Sequence, residues 1–166
     1  MCITIEKALP TDAASLLAYL KQIGGETDNL TFGSEGLPFT TEAEAAFLTG
    51  LEKSRDGIML VAKADGKIIG NASLSRLPRR MAHRGDLAVS VAKEYWNKGI
   101  GTELLKHTLS FARENGFEVL DLQVRSDNLT AIHVYEKLGF QKLCTYPKFF
   151  KIGDQYVDFE YMYLVL

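Results

Sequence analysis

Two cysteines in 166 residues are too few for a disulfide framework. Cys2 and Cys144 lie far apart, neither in a ligand-spaced motif, so no metal site is indicated. No apolar run is long enough to span a bilayer. The N-terminus Met-Cys-Ile-Thr-Ile-Glu also lacks the basic and apolar regions of a signal peptide, so the cytoplasm is the expected location. Charge of one sign is missing as well: 19 basic against 21 acidic side chains give a formal net charge of −2. That balance leaves no electrostatic footprint for duplex nucleic acid. There is no internal repeat, no low-complexity segment, and no Gly-x-x-x-x-Gly-Lys-Ser/Thr phosphate loop. What is present is an ordinary globular composition, 46% hydrophobic and 24% charged. The expected unit is one domain over residues 1–166, since the chain is too short for two comfortable cores.

The chain is organised around the stretch from Leu87 to Leu105. Leu87, Val89 and Val91 alternate with Ala88, Ser90 and Ala92, the period of a strand with two distinct faces. Gly99 and Gly101 then bracket Ile100, after which Leu104, Leu105, Thr108, Leu109 and Ala112 follow helical spacing. Glycines here let the backbone turn sharply and let a ligand approach it. The first helical turn adds free N–H groups and the positive end of the macrodipole, so the turn is a candidate phosphate or pyrophosphate cradle. A dinucleotide fingerprint would need a third glycine near Leu104, which is absent. By itself the stretch is also compatible with a merely tight strand-to-helix connection.

A second motif decides between these. Val91-Ala-Lys-Glu-Tyr-Trp-Asn-Lys-Gly-Ile-Gly-Thr102 resembles the acetyl-coenzyme A pyrophosphate loop of the GNAT superfamily of N-acetyltransferases, Arg/Gln-x-x-Gly-x-Gly/Ala after a valine-bearing strand. Asn128-Leu-Thr-Ala-Ile-His-Val-Tyr-Glu-Lys-Leu-Gly-Phe140 resembles the same family's Asn-x-x-Ala-x-x-x-Tyr-x-x-x-Gly-Phe signature, in the family's order and separation. The chain departs from the pattern at Trp96, where Arg or Gln is common, at Asn97 for glycine and at Lys93 for proline. These changes affect side-chain contacts of the loop and leave its backbone donors in place.

Along the rest of the chain, Ile3 to Leu9 alternates like a first strand, and Pro10-Thr11-Asp12 reads as the cap of a helix with Leu16, Leu17, Leu20 and Ile23 inward, ended by Gly24-Gly25. A polar loop with Glu26, Asp28 and Glu35 is a candidate substrate-contacting segment or a solvated connector. Thr41-Glu-Ala-Glu44 fits a capping box for a second helix burying Ala45, Leu48 and Leu51. Ile58–Ala62 and Ile68–Leu74 flank Asp65-Gly66, a hairpin signal. The run Arg76-Leu-Pro-Arg-Arg-Met-Ala-His-Arg84 reads as a solvated strand connection, with anion contact the alternative. Asn115-Gly116 closes the next helix, Val119–Arg125 is a strand completing a parallel βαβ crossover, and Asp127-Asn128 caps the helix carrying Ala131, Ile132, Tyr135 and Leu138 up to Gly139. A long hairpin about Gly153-Asp154 ends the chain. The expected fold is therefore α/β (α+β), a mixed central sheet of about seven strands with about four helices on its two faces, ordered β-α-α-β-β-β-α-β-α-β-β. That order resembles the GNAT fold along essentially the whole chain.

The resemblance implies acetyl-coenzyme A as co-substrate and direct transfer of its acetyl group to a primary amine of a small molecule or peptide. The backbone N–H groups of Gly99, Ile100, Gly101 and Thr102, with Lys98, Trp96, Asn97 and Asn128 nearby, are the candidate cofactor contacts. Val89 and Val91 are the strand residues against which the pantetheine arm would pair. Tyr135 is the candidate partner of the leaving sulfur. An amine near the lysine reference pKa of ~10.4 must lose a proton before it attacks. The acceptor of that proton must lie toward the start of the strand, which makes Asp86 the first candidate and Glu26, Asp28, Glu35 and His83 the reserves. His107 and His133 read as surface residues. A coenzyme A-binding regulatory protein without turnover is the alternative, and a homodimer is a possible assembly.

Overall fold

The computed structural model describes residues 2–166. Its elements run β1 Ile3–Lys7, α1 Ala13–Glu26, α2 Thr41–Leu51, β2 Gly57–Ala64, β3 Lys67–Arg76, β4 Arg84–Val91, α3 Ile100–Glu114, β5 Val119–Arg125, α4 Leu129–Lys137, β6 Gln141–Ile152 and β7 Gln155–Val165. The seven strands form one sheet in the order β1-β2-β3-β4-β5-β7-β6. Every neighbouring pair is antiparallel except β4 with β5, which α3 joins as a parallel unit. The element order is the one expected from periodicity.

Alternation along the strands sends apolar side chains to two cores. Ile58, Leu60, Leu74, Leu87, Leu120 and Leu122 pack with Leu104, Leu105, Leu109 and Ala112 of α3 and with Tyr135 of α4. On the other face Val61, Ile68 and Ala92 pack with Leu16, Tyr19, Leu20 and Ile23 of α1 and Leu48 of α2. Asp65 and Gly66 take φ of +47° and +84°, the left-handed pair of a two-residue hairpin turn.

Three local expectations fail, each for a tertiary or a local hydrogen-bonding reason. Helix α1 does not end at Gly24-Gly25 but continues to Glu26. A Cβ on Gly24 would stand 2.0 Å from the Gly33 carbonyl oxygen, so the glycine serves a close backbone approach by the following loop and not a stop. The cap of α2 is Thr40, whose Oγ1 accepts the Ala43 N–H at 3.1 Å, one residue earlier than the box at Thr41. Its expected partner Glu44 turns inward and is buried. Pro10–Asp12 forms a separate 3₁₀ turn, in which Asp12 accepts the Leu9 N–H and pairs with Lys63 and does not cap α1 by its side chain.

The arginine run divides by role. Arg76 bonds Asp56 and the carbonyls of Ala82, Arg55 and Asn115, with its guanidinium 3.9 Å from the Phe117 ring centroid. Arg84 pairs with Asp121. Arg79 and Arg80 lie in an exposed turn. Two of the four thus tie the ends of β3 and β4 to their surroundings.

Candidate active site

The sheet opens where the two parallel strands part. β4 and β5 are paired only through Arg84–Val119, Gly85–Leu120 and Asp86–Asp121, and diverge beyond. The phase of the ladder fixes what the gap exposes. The Ala92 N–H bonds the Ile69 carbonyl on the β3 side, so alternation directs the backbone groups of Asp86, Ala88 and Ser90 toward β3. Those of Leu87, Val89 and Val91 are directed into the gap. The indole N–H of Trp96 takes the Val91 carbonyl at 2.7 Å, which leaves the N–H and C=O of Val89 and the N–H of Val91 for a ligand.

This gap runs into a cleft of about 340 Å³ that ends at the N-terminus of α3. A 3₁₀ turn at Lys93–Tyr95 leads from β4, and Asn97 and Gly99 adopt φ of +60° and +78° to bring the chain round. The first helical hydrogen bond runs from Glu103 N–H to Gly99 C=O, so the N–H groups of Ile100, Gly101 and Thr102 lack helical partners and point out of the helix end. The buried side chain of Ile100 anchors that turn in the core. A Cβ on Gly99 would meet nothing within 4 Å, and one on Gly101 only Val91 Cγ2 at 3.6 Å, so both glycines open onto free space beside the free donors. Such a cradle fits a pyrophosphate.

Most of the candidate residues converge here. Val89, Val91, Trp96, Asn97, Gly99, Ile100, Gly101, Thr102, Asn128 and Tyr135 all line the cleft. Asn128 also caps α4, its Oδ1 accepting the Ala131 N–H at 3.3 Å. Tyr135 is 7% exposed, its ring edge-on to Phe140, and burial pushes its phenol up to about 12. Lys98 stands outside the lining with its ammonium 4.9 Å from the Tyr95 ring centroid. Asp86 is also outside the lining, at the closed end of the gap. Desolvation of its carboxyl raises the pKa above the usual carboxylate range; the Asp121 charge adds to this and the Gln123 side chain opposes it.

Of the acidic reserves, Glu26 and Glu35 have carboxylates engaged elsewhere. Glu26 accepts the Lys93 N–H at 2.8 Å and the Gln22 amide at 2.7 Å. Glu35 accepts the Gly33 N–H at 2.8 Å. Asp28 offers its backbone carbonyl to Arg125 at 3.3 Å, while that guanidinium pairs with Asp127. The Glu26–Lys93 and Asp28–Arg125 contacts hold the start of this loop beside the cleft, which Thr27, Asn29 and Leu30 help to line. His83, His107 and His133 are exposed.

Sequence reasoning missed one hydrogen-bonded chain beneath the site. Ser90 Oγ donates to Asn71 Oδ1 at 2.5 Å, so the buried Tyr19 hydroxyl, 2.9 Å away, donates to Ser90. Asn71, a polar residue in the apolar stretch Ile68 to Ala72, was its one visible signal.

The profile of the Acetyltransferase (GNAT) family matches residues 26–140 of the sequence. The chain belongs to that GNAT family. Among GNAT relatives, the L-amino acid N-acetyltransferase AaaT of Escherichia coli is 34% identical over 113 residues, 65% of this chain and 68% of the relative. The N-alpha-acetyltransferase RimI of Mycobacterium tuberculosis is 33% identical over 93 residues, 55% of this chain. There the match spans only 57% of the relative's length. A crystal structure of a GNAT-family acetyltransferase from Streptococcus pneumoniae superposes with a TM-score of 0.95 at 32% identity, covering 99% of this chain and 100% of that one. The seven-stranded mixed sheet with four helices is thus the GNAT fold.

Proposed function

We propose that this protein is an acetyl-CoA-dependent N-acetyltransferase that moves an acetyl group directly to a primary amine of a small molecule or peptide. The observation that carries the reading is the parting of β4 from β5 beside the donor-rich start of α3. When bound, acetyl-CoA supplies the activated acetyl group as a thioester; the residues supply everything else. The N–H groups of Gly99 to Thr102 hold the pyrophosphate, and Lys98 adds positive charge near it. Trp96, Asn97 and Asn128 shape the walls. Val89 and Val91 pair with the amide-bearing arm, and a β4 N–H at the gap polarises the carbonyl as an oxyanion donor.

Asp86 serves as proton acceptor, directly or through water. Deprotonating an amine of pKa ~10.4 at neutral pH costs roughly 4–5 kcal/mol, and a carboxyl raised by desolvation is a better base than an ordinary aspartate. Tyr135 stands at the leaving sulfur. With its phenol near 12, full transfer to a thiolate of conjugate pKa ~8.5 would be uphill by roughly 5 kcal/mol. Its role is accordingly a hydrogen bond that strengthens as charge grows on sulfur.

The relatives named for amino acid and N-alpha acetylation favour a primary amine carried by an amino acid or peptide N-terminus. The expected setting is the cytoplasm; among the described residues no helix is long and apolar enough to cross a membrane. A homodimer is one possible assembly. The test is release of free thiol from acetyl-CoA against polyamines, amino acids, aminoglycosides and peptide N-termini, with products identified by mass spectrometry. Turnover with any of these amines supports the reading. Tight coenzyme binding without turnover on the whole panel favours a regulatory protein, a reading to which the position of Asp86 outside the cleft lining lends weight.

A further inference from the structure

The closed end of the gap carries a polar cluster that neither family motif includes. Successive same-face residues of β4 place Arg84 and Asp86 together, and those of β5 place Asp121 and Gln123 beside them, with Asp86 and Asp121 in register. Arg84 grips Asp121 in bidentate fashion, Nε to Oδ2 at 2.9 Å and Nη2 to Oδ1 at 2.5 Å. Asp121 is only 5% exposed, whereas the Arg84 side chain is 36% exposed. The remaining neighbours in register bring no carboxylate, ammonium or guanidinium: Ser75 on β3 opposite Asp86, and Tyr163 and Tyr161 on β7 opposite Asp121 and Gln123. Arg84 is therefore the one cation of the cluster, and Asp121 the one anion facing Asp86.

The pair does more than join two strands. It spans the short ladder, from Arg84 on the first rung to Asp121 on the last before β4 and β5 separate, so it braces the point where the gap begins. A buried aspartate left uncompensated in register with Asp86 would hold that carboxyl protonated to higher pH. An arginine left without its aspartate would do the reverse. We propose that Arg84 and Asp121 are positioning residues for the transfer reaction: they hold Asp86 at the closed end of the gap and balance the charge that it faces. The inference rests on the reading of Asp86 as proton acceptor.

Its test needs no knowledge of the acceptor amine. The side-chain carboxyl carbon of Asp86 is followed by ¹³C NMR through a pH titration of the full chain, in the parent and in three variants. Arg84→Met should move the Asp86 midpoint up by about one pH unit, and Asp121→Asn should move it down by a similar amount. The double variant Arg84→Met/Asp121→Asn should return it close to the parent value. Opposite displacements by the two halves of one ion pair are something that a purely structural brace cannot produce, since both losses would lower stability alike. Should Arg84→Met alone fail to fold, the isosteric Asp121→Asn and the charge-free double variant still decide the question. An Asp121→Asn midpoint within 0.2 pH unit of the parent, a double variant displaced as far as Asp121→Asn, or displacements of the same sign in the two single variants would overturn the proposal. Asp86→Asn separates it from the reading beneath it. Unchanged turnover in that variant, with an amine found by the thiol-release panel, removes Asp86 from the chemistry whatever the titrations show.

Discussion

Replacing Gly101 by valine isolates the pyrophosphate cradle from the fold. The ideal Cβ there meets only Val91 Cγ2, at an ordinary contact distance of 3.6 Å, and the residue is not among the glycines with positive φ. Valine in a helical turn is favoured over glycine by roughly 0.3–0.5 kcal/mol, which offsets minor crowding. The melting midpoint should therefore stay within about 2 °C of the parent for a chain of this length. Binding is another matter. The added methyl groups project into space beside the free N–H groups of Ile100 to Thr102 and keep an anion from reaching them. Loss of one charge-assisted hydrogen bond is worth roughly 1.5–3 kcal/mol, so the Kd for coenzyme A should rise about ten- to 150-fold. Isothermal titration with coenzyme A beside a melting curve reads both quantities. A variant that binds like the parent would place the phosphates somewhere other than the start of α3. A variant that melts more than about 5 °C early would show that the turn has no room for a side chain.

Four further outcomes are expected. Coenzyme A should raise the melting temperature of the parent, with NAD and ATP doing so much less; equal stabilisation by NAD would return a dinucleotide to consideration. Trp96→Ala should weaken coenzyme A binding less than Gly101→Val, because the indole bonds the Val91 carbonyl and supplies none of the phosphate donors; the reverse ranking in the same titration would point to a direct indole contact. Tyr135→Phe keeps the packed ring, so cofactor binding should hold while single-turnover acetyl transfer falls about ten- to more than a hundredfold; parent-like turnover would leave Tyr135 a packing residue. For Asp86 the folded-state pKa is raised, so its ionisation opposes folding as pH rises through that value and costs nothing below the unfolded value of 3.8. Asp86→Asn should accordingly melt higher than the parent at pH 7 and converge with it near pH 4; melting curves across that range that run parallel would refute the shift.

The strand, turn and helix from Arg84 to Glu114 were legible because the hydrophobic period changes from two to 3.6 across a pair of glycines. Asn128 and Tyr135 were legible through the resemblance of Asn128–Phe140 to the GNAT signature, since helical spacing by itself marks Tyr135 only as one residue of a packed face. What the sequence hid depends on partners distant along the chain. Gly24 looks like a helix stop, and only its approach to the Gly33 carbonyl explains it. Glu26 looks like a free acid until Lys93 is found to claim it. The three rungs shared by β4 and β5 have no local signal at all, since neither strand's pattern says where it leaves its neighbour. Nor does a periodic pattern show that Ser90 binds Tyr19, 71 positions away, and Asn71.

The parted strands also have a meaning for stability. A gap in the middle of a sheet creates two edges inside the molecule, each with backbone groups that lack a neighbour. A sheet edge is a template for whatever extended chain fits beside it. Here the slot is lined by residues of α3 and α4 as well as by the two strands. On the proposed reading, acetyl-CoA would complete the sheet as a missing strand would. The amide hydrogens of Val89 and Val91 should exchange with solvent quickly in the free protein and slowly once that strand is in place, whereas those of Ala88 and Ser90, already bonded to β3, should hardly notice its arrival.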